Sequence, residues 1–68
     1  MNDYENGWRY IVWVSGVDDY YKTFSQAKMD YHDWREKGYD DVFLTEIQKD
    51  GTEKIVYNSE EDWHLYVV

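Results

Sequence analysis

The chain has 68 residues, of which 15 are Asp or Glu and 7 are Lys or Arg, for a net charge of −8. It also carries 4 Trp, 8 Tyr and 2 Phe, with no cysteine and no proline. Acidic disordered segments are poor in aromatics, so this composition reads as a folded chain. The absence of cysteine excludes disulfides and a thiolate zinc site.

A chain this short reads as one compact domain over residues 1–68, with 1–6 as a flexible tail. A domain of this size buries only about 60% of the surface its unfolded chain exposes. The aromatic side chains, on the order of 150–250 Å² each, must therefore supply the core. The stretch Met1 to Gly7 is polar and acidic, unlike a signal peptide. No apolar run approaches the roughly 18–20 residues that span a bilayer. A soluble, cytoplasmic protein is the expectation.

Trp8 to Val14 (W-R-Y-I-V-W-V) is dense in β-branched and aromatic types and predicts a strand. Alternation assigns Trp8, Tyr10, Val12 and Val14 to one face and Arg9, Ile11 and Trp13 to the other. Ser15-Gly16-Val17-Asp18-Asp19 reads as a turn, and Tyr20 to Thr23 as a second short strand closing a hairpin. Ser25 is the expected N-cap of a helix running to Lys37. Phe24, Ala27, Tyr31 and Trp34 form its apolar stripe, and Gly38 stops it.

Val42 to Gln48 predicts a third strand, Lys49-Asp50-Gly51 a hairpin turn, and Glu53 to Tyr57 a fourth strand. Asn58 to Asp62 reads as a turn or a single helical turn, and Trp63 to Val68 as a possible fifth strand. The expected fold is α+β: an antiparallel sheet of four to five strands with one helix on one face, in the order β-β-α-β-β. One helix leaves the other face of the sheet uncovered, with Ile11, Trp13 and some strand tyrosines on it. That face is a candidate homodimer seam.

The negative charge is uneven. Residues 1–24 sum to −2, residues 25–37 to zero and residues 38–68 to −6. In the last stretch the acids group as Asp40-Asp41 and Glu60-Glu61-Asp62. A hairpin of strands three and four brings those groups to one edge. The Asp18-Asp19 turn joins them if Tyr20 to Thr23 is a strand; Asp3 and Glu5 do so if it is not. The expectation is an acidic pole, with solubility or imitation of nucleic-acid phosphates as its purpose.

Motifs for chemistry are lacking. Asp18-Asp19 and Asp40-Asp41 are adjacent loop acids without a cleft to raise a pKa. His32 and His64 are too few for a histidine metal site, and no serine stands in triad spacing. There is no phosphate-binding glycine loop and no EF-hand pattern, so no cofactor and no metal are expected. So negative a chain repels nucleic acid, and it lacks the basic amphipathic helix of a membrane-surface protein.

The hairpin Trp8-Arg9-Tyr10-Ile11-Val12-Trp13-Val14-Ser15-Gly16-Val17-Asp18-Asp19-Tyr20-Tyr21, the helix Ser25 to Lys37 and the exit Gly38-Tyr39-Asp40-Asp41-Val42 together resemble a class of small acidic proteins encoded by bacteriophages and mobile elements. That class includes inhibitors of CRISPR nucleases, restriction enzymes, uracil-DNA glycosylase and host RNA polymerase. The resemblance implies a non-enzymatic, anti-CRISPR-like or DNA-mimic inhibitor acting by contact in the host cytoplasm. Its partner would be a basic nucleic-acid-binding host protein. The expected contact residues are Asp18, Asp19, Tyr39, Asp40, Asp41, Glu60, Glu61, Asp62 and Trp63, with Tyr39 and Trp63 as apolar anchors. The alternative is a structural or assembly module, homodimeric through the uncovered sheet face.

Overall fold

A computed structural model describes residues 2–58 of the chain. The elements in order are β1 (Tyr10–Val14), β2 (Val17–Tyr21), α1 (Phe24–Glu36), β3 (Val42–Ile47) and β4 (Glu53–Asn58). They form one antiparallel sheet in the order β2-β1-β3-β4, with α1 packed on one face. The α+β class and the order β-β-α-β-β agree with the sequence. The possible fifth strand, Trp63 to Val68, lies outside the described residues.

The first hairpin is tighter than expected. Its loop is only Ser15-Gly16, both at positive φ (49° and 85°), the conformation that matches the twist of two antiparallel strands. β2 therefore begins at Val17, and Asp18 and Asp19 are strand residues, not turn residues. They pair with Trp13 and Val12 of β1. The helix is capped two residues earlier than expected: Thr23, not Ser25, is its N-cap, with Oγ1 accepting from the Gln26 amide at 3.3 Å.

The helix ends in a Schellman arrangement. The Gly38 amide donates to the Arg35 carbonyl at 3.1 Å, and the Tyr39 amide donates to the Trp34 carbonyl at 3.4 Å. Gly38 has φ 97°, which a side chain would strain. The hydrophobic contact typical of this motif is Tyr39 against Trp34, edge to face with ring centroids 5.1 Å apart.

The stripe Phe24, Ala27, Tyr31 and Trp34 faces the sheet. Ala27 and Tyr31 are fully buried with Val12, Val14, Val42 and Leu44, and Phe24 and Trp34 pack at the margins. Tyr31 stacks on Tyr57 at 5.6 Å, and Phe24 contacts both Tyr10 and Tyr57. At ~25 cal/mol per Å², burial of one ring such as Tyr31 is worth about 4–6 kcal/mol before entropy costs. β4 carries an irregularity opposite Leu44/Thr45: Tyr57 pairs with Leu44 and Ile55 with Thr45, leaving Val56 extra. The bulge lets the consecutive residues Val56 and Tyr57 both pack against the core under the helix.

Two expectations about the faces of the sheet need correction. Ile11 is not uncovered: it is 1% exposed, and Ile47 and Thr45 on the same face are buried with it. Trp8 lies outside β1 and does not share the face of Tyr10; its ring meets Tyr20, on the side away from the helix, at 5.8 Å. Residues 3–7 form turns that pack back on the sheet. The Asp3 carbonyl accepts from the Trp8 amide at 3.0 Å, and Asn2 Oδ1 accepts from the Glu5 amide at 2.9 Å. Asn2 Nδ2 donates to the Lys49 carbonyl at 3.3 Å. This segment packs so closely on the β3–β4 turn that a Cβ at Gly51 would stand 3.0 Å from that of Asn2.

Candidate interaction surface

Asp40 and Asp41 lead into β3 at the end of the sheet that carries the Ser15-Gly16 loop. The Asp41 carbonyl accepts from the Ser15 amide at 3.1 Å. The last residue of β4, Asn58, pairs with Phe43, so the chain leaves β4 beside the start of β3. The expected partners Glu60, Glu61, Asp62 and Trp63 lie outside the described residues. Cations stand at this end as well. Arg35 Nη1 donates to the Tyr39 carbonyl at 3.3 Å, and Lys37 Nζ is 3.1 Å from Asp33, an exposed i,i+4 pair worth only about 0.3–0.5 kcal/mol. Tyr39, an expected anchor, is the helix-ending contact described above and remains 41% exposed.

Asp18 and Asp19 do not share one face of the sheet. As consecutive strand residues they point to opposite faces: Asp19, opposite Val12, toward the helix side and Asp18, opposite Trp13, toward the far side. Each sits next to a tyrosine whose ionisation the fold opposes. On the far side Tyr20 has its phenol pKa raised, first by burial, then by its hydrogen bond to Asp18 and by the charges of Asp3, Asp18 and Glu53. On the helix side Tyr21 is raised further, first by burial, then by its hydrogen bond to Asp30 and by the charges of Asp30 and Asp19. Asp30 also accepts from Trp34 Nε1 at 3.2 Å. Carboxylates thus flank β2 on both of its faces.

Glu53 joins the far-side group from β4. Its Oε1 accepts from Trp13 Nε1 at 3.0 Å and from Thr45 Oγ1 at 2.9 Å, so the indole of β1 is fixed across β3. The contributions of Asp30 and Glu53 were not foreseen, and Asp3 was expected at the acidic pole only if Tyr20 to Thr23 were not a strand. Strand alternation would have separated Asp18 from Asp19 once the loop was cut to Ser15-Gly16. Only the assembled sheet could bring Glu53 in.

Several cations are committed to aromatic rings. The Arg9 guanidinium lies 3.8 Å from the Tyr4 ring centre, and its Nη1 donates to the carbonyls of Tyr4 (2.8 Å) and Trp8 (3.0 Å). Lys22 lies over Trp8 at 5.4 Å, Lys28 beside Phe24 and Tyr57 at 6.0 and 5.9 Å, and Lys37 over Trp34 at 4.5 Å. Such contacts satisfy the cations through the negative faces of the rings. The chain keeps its strong negative field, and its bases are spent largely on its own aromatics.

Among the described residues no three His, Asp or Glu side chains gather at metal-binding distance, and no helix is long and apolar enough to cross a membrane. His32 is exposed on the helix, its ring against Tyr31 at 5.4 Å. Comparison of the chain with protein-family models, with curated proteins and with solved structures finds no match.

Proposed function

We propose that this protein is a non-enzymatic binding protein that meets a basic, nucleic-acid-handling partner through an acidic surface, blocking the partner by contact. The observation that carries the reading is the placement of Asp18 and Asp19 on the two faces of an edge strand, with Asp3 and Glu53 near one and Asp30 near the other. A rigid strand fixes the spacing of carboxylates as a mobile loop cannot, and fixed complementary charge gives orientation and fast encounter. The acidic surface is thereby moved from the Asp40-Asp41 end toward β2. Asp40 and Asp41 lie at the hairpin end of the same sheet and extend the surface.

The test is capture of partner by the immobilised protein from nuclease-treated bacterial lysate, at low and high salt. The paired reversal Asp18→Lys/Asp19→Lys should abolish capture with the fold intact by circular dichroism. The reversal Asp40→Lys/Asp41→Lys should weaken it. Capture indifferent to both salt and the reversal on β2 would end this reading.

A further inference from the structure

The outer edge of β2 carries backbone hydrogen-bonding groups as well as charge. At the two ends of β1, the Arg9 carbonyl accepts from the Ile47 amide and the Ser15 amide donates to the Asp41 carbonyl, so Ile11 and Trp13, in step with them, bond toward β3; the Arg9 amide, just before the strand, turns the other way to the Tyr21 carbonyl at 3.0 Å. By antiparallel alternation the even-numbered residues bond toward β2, and their register partners are Val17, Asp19 and Tyr21. The amides and carbonyls of Asp18 and Tyr20 therefore point outward. Among the described residues nothing pairs with them, because β2 is the end of the sheet. We propose that β2 is a strand-addition site for an extended, Lys/Arg-rich segment of a protein partner, which hydrogen-bonds to the backbone of Asp18 and Tyr20. The proposal rests on the acidic-surface reading above and specifies how the partner is held.

Charge complementarity selects the occupant. A second copy adding antiparallel through its own β2 would set Asp19 opposite Asp19, or Asp18 opposite Asp18, in the registers centred on those residues, and like charges directly opposite each other are destabilising. Carboxylates also blunt an edge against self-pairing in general. An incoming basic strand reverses that penalty. Its side chains alternate between the two faces, and both are acidic: Asp18, with Asp3 and Glu53 nearby, on one and Asp19 with Asp30 on the other. The segment should therefore carry Lys or Arg at consecutive positions, with backbone pairing supplying affinity and charge supplying selection.

Three synthetic ten-residue peptides of alternating Lys and Arg test this, one unmodified and two N-methylated at every second residue, in the two possible phases. Methylation keeps the charge and removes the amide donors of one strand edge. The expected result is binding of the unmodified peptide, protection of the Asp18 and Tyr20 amides from hydrogen exchange, and binding about tenfold or more weaker for the peptide methylated on its pairing edge. Peptides methylated at odd and at even positions are both made, so that either edge can be the pairing one. Equal binding by all peptides, with no protection at Asp18 and Tyr20, would overturn strand addition and leave the acidic-surface reading standing. Binding by none would overturn both. A doubled mass by sedimentation, with the same two amides protected in the absence of peptide, would assign the edge to a second copy and also overturn the proposal.

Discussion

The two faces of the sheet solve the same problem by different means. The helix side is closed by apolar packing: Tyr31 and Ala27 of α1 sit against Val12, Val14, Val42 and Leu44 with nothing exposed between them. Among the described residues the far side has no helix. It buries Ile11, Ile47 and Thr45, then finishes its surface with bonded polar groups, Trp13 and Thr45 on Glu53 and Arg9 on Tyr4. The contrast shows how the described residues of an aromatic-rich chain finish the two faces of one sheet with one helix. On the far side, among the described residues, rings with polar handles and a cation over a ring take the place that apolar packing has under the helix.

The largest effect should come from the helix side. Tyr31→Ala should cost about 3–5 kcal/mol in urea unfolding, enough to leave so small a domain largely unfolded, with Tyr31→Phe as the folded control. Ile11→Ala probes the far side and should cost toward the low end of about 2–5 kcal/mol, since its partly exposed neighbours can settle into the gap. If Ile11→Ala proved as mild as a surface change, within about 0.5 kcal/mol, the far side would not be a packed layer at all.

High pH sharpens the same comparison. Tyr10, Tyr20 and Tyr21 have folded pKa values above the ordinary 10.0, burial being the first cause in each. A raised phenol pKa means that the fold prefers the neutral form. The stability linked to it is intact below pH 10 and is lost as pH rises through the folded values. Absorbance titration should therefore show Tyr20, on the far side, ionising before Tyr21, on the helix side, with unfolding following. The reverse order would contradict the burial assigned to the two faces.

Much of the fold was legible in the chain. The period of Phe24, Ala27, Tyr31 and Trp34 gave away the helix and its buried stripe, Gly38 marked its end, and Asp50-Gly51 marked the second hairpin. The start of β2 was misplaced because Val17-Asp18-Asp19 looks like a polar loop by composition. The strand forms there because Ser15 and Gly16 alone can close the hairpin at positive φ, and pairing with β1 overrides the poor strand propensity of Asp. That misplacement also shifted the candidate surface, since a turn would have gathered Asp18 and Asp19 where a strand parts them.

Local periodicity, turn chemistry and net charge are properties of neighbouring residues, and the sequence alone determined them: the helix and four strands of the described residues, and a strongly acidic chain; that aromatics would form the core was only half right, since the buried cluster is aliphatic apart from Tyr31 and the other rings pack around it. Which carboxylates share a surface depends on register and strand order, and these are set by packing between residues distant along the chain. Tertiary structure alone placed β2 at the sheet edge, folded residues 2–7 back toward Lys49, and carried Glu53 across β3 to Trp13.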